Sequence, residues 1–378
     1  MTNASERARA VASREPWVVV VALGLLLGLQ PVTTDLYLPS LPGIARGLGS
    51  TMGQAQLTLS ALILSFGVSQ LLAGPLADRF GRKPVLTGGL VLYAAAAAGS
   101  AAADGIEPLI AWRALQGLGL AAAVVCARAM LRDLYEPEEG ARVMSRALTF
   151  LGFIALASPV AGGLIASAWG WRAALAATGV FAALTLLLVL ARMPETLGRP
   201  APDALRPGPM LQTWRRILSH PAFRAWTLLV TFTYGGLYTY LAGSSFVYIE
   251  VLGLSRSTYG WVLATASMSY IVGTFWCRRW LRLHGLAGSV RRGAAFTIAG
   301  GVTLAGAALL GWHHPLAVAV PQALYLFGHG IHQPCGQAAV AGPFPDQAGT
   351  ASALSGFIMS VAAFAIGGWL GVTMNGTV

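Results

Sequence analysis

Long apolar segments separated by short charged connections make up most of this chain, and each segment is long enough to cross a lipid bilayer. A helix needs about 20 mostly apolar residues to cross a hydrocarbon layer of roughly 30 Å. The sequence predicts eleven such helices, at 17–38, 55–77, 84–103, 106–131, 142–168, 172–193, 222–250, 257–280, 291–312, 315–340 and 347–372. Only 10% of the residues are charged, against about 25% in soluble proteins. We therefore predict an all-α polytopic membrane protein embedded in a lipid bilayer.

The basic residues lie mainly in alternate connections between these segments, beginning with the arginines of the N-terminal tail. The chain carries a net charge of +11, and Lys83 is its single lysine. Under the positive-inside rule the basic connections face the cytoplasm, so the N-terminus is predicted to be cytoplasmic. Because the charge follows the connections and forms no continuous basic face, we predict no nucleic-acid partner.

A proline- and arginine-rich stretch at 194–221 interrupts the hydropathy after the sixth helix. We predict a cytoplasmic interdomain loop there, an N-terminal six-helix bundle at 1–193 and a C-terminal five-helix bundle at 222–378. Residues 69–79 and 269–279 both run from an apolar helix end into a charged turn, which is a faint internal repeat. Parallel halves around a central cavity are a transporter architecture.

The connection between the second and third helices carries the ordered pattern G-x-x-x-D-R-x-G-R-K. It consists of Gly74, Asp78, Arg79, Gly81, Arg82 and Lys83. Glycines let neighbouring backbones approach closely, and the charges cannot enter lipid, so the pattern predicts an antiparallel helix pair held at the membrane surface. The alternative is a topology signal only, in which positive charge keeps the connection inside.

Two charged residues fall inside predicted helices. Asp35 lies late in the first helix and must face protein or water, because an aspartate within the bilayer costs about 2.5–3.5 kcal/mol. Arg113, in the fourth helix, needs an acidic or polar partner, and Asp35 is the natural candidate. We predict that Asp35 carries a proton and that Arg113 pairs with it. The alternatives are that Asp35 only caps the outer end of its helix, or that the two form a static ion pair.

The fifth helix presents a smooth face of small residues. Gly152, Leu156, Pro159 and Gly163 share this face by their spacing, and Gly162 follows the same proline. Such a face predicts close packing against a neighbouring helix that is able to bend. A glycine-rich packing helix without a special function is the alternative.

Polar and aromatic residues of four helices are predicted to line a central cavity. They are Gln30, Tyr37, Gln116, Phe232, Tyr234, Tyr238, Tyr240, Phe246, His329, His332, Gln333 and Gln337. Aromatic surfaces with few charges suit an uncharged or weakly charged amphiphile, although an aromatic stripe is often plain core packing. Cys126, Cys277 and Cys335 fall in apolar segments and read as buried apolar residues, and no ligand set predicts a metal site.

Together these motifs resemble the major facilitator superfamily, and more narrowly the proton-coupled drug exporters of the Bcr/CflA family. The charged turn matches the cytoplasmic signature of the superfamily. The signature of the fourth helix is matched by Arg113, Gln116, Gly117 and Gly119. The antiporter signature of the fifth helix is matched by Gly152, Pro159, Gly162 and Gly163, with Ser158 in place of the usual glycine. Further matches are D-L-Y-L-P at 35–39, R-D-L-Y at 132–135 and F-V-Y-I-E at 246–250.

The resemblance implies a major facilitator fold, with two helical bundles around a central cavity, and export by alternating access driven by inward proton movement. It implies that Asp35 and Arg113 are the proton-coupling pair. It also implies that Asp78, Arg82 and Asp133 form a cytoplasmic charge cluster that stabilises the outward-facing state. The family has twelve helices, so we expect either a truncated sequence or one missing peripheral helix.

We therefore predict an exporter of small hydrophobic drugs in the bacterial inner membrane, working as a monomer. It would exchange its cargo for protons and need no cofactor other than the proton gradient. A metabolite transporter of the same fold, for amino acids, nucleosides or sugars, is the alternative. A membrane-embedded enzyme or receptor is more remote, because the sequence contains no P-loop and no H-E-x-x-H or G-x-S-x-G motif.

Overall fold

The computed structural model describes residues 16–344 and 347–373, and the regular structure within these ranges is helical. The helices are α1 (Pro16–Thr34), α2 (Leu41–Gly47), α3 (Met52–Phe80), α4 (Arg82–Ala102), α5 (Ile106–Leu134), α6 (Pro137–Arg192), α7 (Pro207–Ser219), α8 (Pro221–Ser245), α9 (Arg256–Leu309), α10 (Pro315–Ala341) and α11 (Ala348–Thr373). Short 3-10 turns lie at Leu38–Ser40 and Pro202–Leu205, and a π-helical turn at Phe246–Val251 extends α8.

The two longest helices each contain a sharp reversal. Gly170 in α6 has φ 81° and Gly285 in α9 has φ 65°, both outside helical geometry. Glycine adopts positive φ without a steric penalty, so the chain turns back at these positions without a loop. Each of these helices therefore forms two crossings, and every one of the eleven predicted segments corresponds to an observed helix or helix arm.

Most of the helices suit a bilayer by length and composition. Seven of the described helices are long and apolar enough to cross a membrane, among them α6 and α9 with their two arms each. The remaining long helices, α8 and α10, are less apolar because they carry tyrosine, histidine and glutamine side chains towards the interior. The chain is thus a multi-pass membrane protein.

The helices pack as two groups with two cross-connections. Before residue 193, α3 and α4 pack on α5, and α1 and α4 pack on α6. After residue 221, α10 packs on α9 and α8, and α11 packs on α8. The two groups meet where α3 contacts α11 and where α6 contacts α9.

The two groups are also joined by polar contacts at the end of the bundle where α3 begins, which we call the Arg46 end. Arg46 Nη1 lies 3.0 Å from Glu250 Oε1. Arg256 Nη1 donates a hydrogen bond of 2.8 Å to the carbonyl of Ala166. These contacts close the cavity between the groups at this end.

Candidate functional site

A cavity of about 290 Å³ lies between the two helix groups. Its wall is mostly apolar and includes Leu59, Ile63, Leu151, Leu237, Leu263, Ile271 and Leu326. Its polar lining consists of Gln30, Thr34, Asp35, Tyr234, Tyr240, Ser267, Tyr270, His329 and Gln333. Mostly apolar walls with a few placed polar groups are typical of sites for small molecules.

Asp35 is the only described residue of the cavity wall that bears a carboxylate. It follows the last residue of α1, and its backbone N–H donates to the carbonyl of Pro31 at 2.7 Å. The Thr34 hydroxyl donates to Asp35 Oδ1, also at 2.7 Å. The carboxylate is therefore held at the broken end of a helix, half-buried, with one neutral partner.

Arg113 does not pair with Asp35, contrary to the prediction. No oxygen of Asp35 lies within 4.0 Å of the guanidinium in the described part of the chain. Arg113 is fully buried and donates instead to Gln116 Oε1 at 2.7 Å and to the carbonyl of Thr33 at 3.0 Å. The physical reason is that α1 ends at Thr34, so the last carbonyls of that helix have no partner within the helix and accept from the arginine.

The surroundings of Arg113 are a buried polar network. The guanidinium carbon lies 4.2 Å from the centre of the Tyr37 ring, which stacks against it. The hydroxyl of Tyr37 hydrogen-bonds to that of Thr58. Gln116 Nε2 donates to Thr178 Oγ1 at 3.1 Å, which links the network to α6. Arg113 therefore contacts the backbone before Asp35 and a side chain after it, without an ion pair to the Asp35 carboxylate.

Five of the residues predicted for the cavity wall lie in this cavity. Gln30, Tyr234, Tyr240, His329 and Gln333 line the cavity. His329 is 1% exposed, and its ring packs against Tyr270 with 5.8 Å between the ring centres.

The other predicted lining residues lie outside the wall, because each is occupied elsewhere. Tyr37 and Gln116 belong to the Arg113 network, and the Tyr238 hydroxyl pairs with Ser60 at 2.7 Å. The Nε2 atom of His332 lies 3.0 Å from the Val290 carbonyl and contacts α9. Phe246 is the first residue of the π-helical turn and does not line the cavity.

Two further residues predicted for the wall also lie elsewhere. The side chain of Phe232 is 75% exposed, as a lipid-facing residue would be. Gln337 Nε2 contacts the sulfur of Met359 on α11.

The opposite end of the bundle, which we call the Arg82 end, contains the residues of the charged signature. Arg82 is 3% exposed, and its guanidinium contacts Asp78 at 2.6 Å and Asp133 at 3.1 Å. Lys83 Nζ donates to the carbonyl of Leu190 at 3.3 Å. The side chain of Arg79 lies over the ring of Phe80. A Cβ atom at Gly74 would meet nothing within 4 Å in the described residues, so close backbone approach does not explain that glycine.

Glu195 completes this cluster, and the sequence analysis did not identify it. Its Oε1 accepts hydrogen bonds from the backbone N–H groups of Arg82, Thr196 and Leu197 at 2.8–3.0 Å, and its Oε2 accepts from Lys83 at 3.0 Å. The first two residues of α4 are among these donors, so the carboxylate caps that helix and complements its dipole. One signal was available, because Glu195 is the only acidic residue between Glu139 and Asp203.

The small residues of α6 make different contacts. Gly162 packs against the backbone carbonyl of Leu36, next to Asp35. A Cβ atom at Gly163 would lie 2.5 Å from the carbonyl oxygen of Arg256 in the other helix group. The carbonyl of Pro159 packs against Gly260 of α9, whereas Gly152 lines the cavity. Pro159 and Gly163 therefore pack against the other helix group at the Arg46 end, whereas Gly152 does not take part in this packing.

Comparison with known proteins supports the interpretation of this architecture. Residues 23–367 match the family model described as Major Facilitator Superfamily. The chain is 27% identical to a bicyclomycin resistance protein homolog of Haemophilus influenzae, over 95% of this chain and 89% of that protein. It is 29% identical to multidrug resistance protein D of Escherichia coli K12, over 91% of this chain and 86% of that protein.

A third relative and one solved structure extend the comparison. The chain is 29% identical to a chloramphenicol resistance protein of Pseudomonas aeruginosa, over 80% of this chain and 71% of that protein. The crystal structure of a D-xylose–proton symporter superposes with a TM-score of 0.70 at 16% identity, covering 93% of this chain and 88% of that one. At that identity the likeness shows the fold alone.

Proposed function

Because this chain belongs to the major facilitator superfamily and is a transporter, not an enzyme, we propose that it exports small hydrophobic drugs from the cytoplasm in exchange for protons. The names of its relatives, which are bicyclomycin, chloramphenicol and multidrug resistance proteins, support a drug as cargo. The mostly apolar cavity supports a hydrophobic one.

The observation that carries the proposal is the placement of Asp35 in the cavity wall. Among the described residues of the wall, Asp35 has the single carboxylate. This carboxylate offers one site for which a proton and a cargo molecule compete. Intramembrane acids of transporters commonly serve as proton relays. Binding of cargo displaces the proton of Asp35 to the cytoplasm and leaves the carboxylate ionised, and reprotonation of Asp35 from the opposite side releases the cargo.

Arg113 contributes to coupling through the backbone of α1. Its hydrogen bond to the Thr33 carbonyl and its contact with the Tyr37 ring bracket Asp35 on both sides. A change in charge at Asp35 therefore acts on a segment that is also in contact with Arg113. Both side chains then influence the conformation of the end of α1. This deepens the prediction of a coupling pair without requiring a direct ion pair.

Alternating access, in which the cavity opens to one side of the membrane at a time, gives transport its direction. The contacts at the Arg46 end hold that side closed, and the cycle requires them to break while the Arg82 end closes. The positive-inside distribution of arginines favours the Arg82 end as cytoplasmic, so the contacts at the Arg46 end lie on the periplasmic side of a monomer in the bacterial inner membrane.

Purified protein in liposomes tests this function directly. With an imposed pH gradient, the wild-type protein is expected to drive chloramphenicol uphill, and Asp35→Asn is expected to abolish the dependence of flux on the gradient. Asp203→Asn is the matched control, because Asp203 is 67% exposed and contacts only Arg206 among the described ion pairs. Equal gradient-driven flux in Asp35→Asn and wild type would refute the assignment of Asp35, and absence of gradient-driven flux in wild type would refute drug–proton exchange.

A further inference from the structure

Two polar side chains of α10 line the cavity, and each has one buried atom without a hydrogen-bond partner among the described residues. The Nδ1 atom of His329 is buried and makes no hydrogen bond to any residue that the structure describes. The same holds for Oε1 of Gln333 within the described ranges. Both residues line the cavity. Buried polar groups without partners are rare because each loses its hydration without compensation, so each needs an explanation.

His329 and Gln333 lie side by side in the cavity wall. His329 and Gln333 are four residues apart in α10, so their side chains lie one turn apart on the same helix face. The ring of His329 is held by Tyr270. His332, on the same helix but outside the cavity, has its Nε2 3.0 Å from the carbonyl of Val290, while its Nδ1 makes no hydrogen bond among the described residues.

We propose that His329 and Gln333 together recognise a cis-amide edge of the cargo, as found in a lactam, an imide or a primary carboxamide. The carboxamide oxygen of Gln333 accepts the amide N–H. The imidazole, in the tautomer with its proton on Nδ1, donates to the amide carbonyl. A cis-amide presents N–H and C=O on one edge, so one ligand group satisfies both side chains at once. A trans secondary amide presents them on opposite edges and satisfies only one.

The role of this site in transport rests on the proposed export function. Binding measurements test the site itself without a transport assay. The mostly apolar wall provides the surface for the rest of the molecule. Asp35 lies on the other helix group, so amide recognition and proton exchange use different parts of the cavity. The proposed cargo is a hydrophobic molecule with an unsubstituted cis-amide.

The test compares the binding of 2-quinolone and N-methyl-2-quinolone to purified wild-type protein in lipid nanodiscs by equilibrium dialysis. The two probes differ by one methyl group that removes the N–H donor. We expect 2-quinolone to bind about tenfold more tightly, because the methylated probe leaves Gln333 Oε1 buried and unpaired. Gln333→Leu is expected to reduce the affinity for 2-quinolone to that for the methylated probe, with the latter affinity unchanged. His329→Phe is expected to reduce the affinity for both probes, because both keep the carbonyl to which His329 donates.

Gln322→Leu is the matched control, because Gln322 is buried in the same helix outside the cavity wall. It should keep the tenfold preference. The ligand comparison on wild type requires no variant, so misfolding of a substituted protein does not affect it. Equal binding of both probes to wild type, binding of neither, a preference that survives in Gln333→Leu, or unchanged binding of both probes in His329→Phe would overturn the inference. A retained preference without proton-driven chloramphenicol flux would instead overturn the proposed function and leave the amide site standing.

Discussion

The guanidinium of Arg113 donates a hydrogen bond of 3.0 Å to the backbone carbonyl of Thr33, two residues before Asp35. A second hydrogen bond ties it to Gln116, and the Tyr37 ring packs on its face. Arginine makes these contacts simultaneously because its guanidinium is planar with five donors, whereas lysine presents a single charged nitrogen. The charge alone therefore does not define the role of this residue.

Arg113→Lys tests that geometry, because it keeps the charge and removes the fork of donors. We expect it to destabilise the protein by roughly 2–4 kcal/mol, since hydrogen bonds to charged groups contribute about 1.5–3 kcal/mol each. We also expect loss of gradient-driven flux. Thermal unfolding in detergent and flux in liposomes measure the two effects. Arg46→Lys is the control, because the side chain of Arg46 is 61% exposed, and it should change stability little. Wild-type stability and flux in Arg113→Lys would contradict the argument.

Glu195 provides a second prediction at the Arg82 end. Glu195→Ala removes one carboxylate from four backbone N–H groups, two of them in the first turn of α4. We expect a loss of roughly 2–4 kcal/mol, because charge-assisted hydrogen bonds and a helix-dipole interaction disappear together. Glu195→Gln keeps a hydrogen-bond acceptor without the charge, so its free energy of unfolding should lie between those of the wild type and Glu195→Ala.

Thermal unfolding of the purified variants is the measurement for Glu195. Asp203→Asn, in the same connection but exposed, is expected to unfold at the wild-type temperature. An unfolding temperature of Glu195→Ala equal to that of the wild type would show that solvent replaces the carboxylate without cost.

The helices of this fold were predictable from the sequence because bilayer thickness fixes their length. The segments predicted at 142–168 and 172–193 are the two arms of α6, with Gly170 between them. The predicted segments at 257–280 and 291–312 are likewise the arms of α9. The sequence did not reveal that these reversals need no loop, because a glycine in the left-handed region leaves no mark in hydropathy.

Contacts between two side chains were easier to predict from the sequence than contacts between a side chain and the backbone. The contacts of Arg82 with Asp78 and Asp133 are those that the resemblance to the superfamily implies for these positions. The partner of Arg113 did not follow, because a backbone carbonyl is present at every position and only the end of α1 makes that of Thr33 available. Tyrosines such as Tyr238 were assigned to the cavity by residue type, although Tyr238 pairs with Ser60 between the helix groups.

The glycines of α6 allow a prediction with an internal control. A Cβ atom at Gly163 would lie 2.5 Å from the Arg256 carbonyl, and one at Gly162 would overlap the Leu36 carbonyl. A Cβ atom at Gly152, on the same helix, would meet no described atom within 4 Å. We therefore expect Gly162→Ala and Gly163→Ala each to cost about 1–3 kcal/mol through overpacking, and Gly152→Ala to be neutral in stability.

The measurement for these glycines is thermal unfolding combined with chloramphenicol flux. Gly163→Ala should also reduce flux, because it separates the helix groups at the end that closes the cavity. Similar stability for Gly152→Ala and Gly163→Ala would show that α6 and α9 are not in tight contact in the membrane.

The ion pair between Arg46 and Glu250 bridges the two helix groups, and its removal should shift a conformational equilibrium more than it changes stability. The two side chains are 61% and 33% exposed, so the pair contributes at most about 1 kcal/mol. That free energy corresponds to about a fivefold change in a two-state ratio. We expect Glu250→Gln to increase the population that is open at the Arg46 end by up to that factor.

Electron–electron distance measurements between spin labels detect this shift. The labels are placed at the exposed positions Glu107 and His313, which lie at the Arg46 end on opposite helix groups, in a protein whose native cysteines are replaced. Glu250→Gln should raise the long-distance fraction, and the charge swap of Arg46→Glu with Glu250→Arg should restore the wild-type distribution because the pair re-forms. An unchanged distribution in Glu250→Gln would mean that the glycine contacts of α6, not this ion pair, hold the end closed.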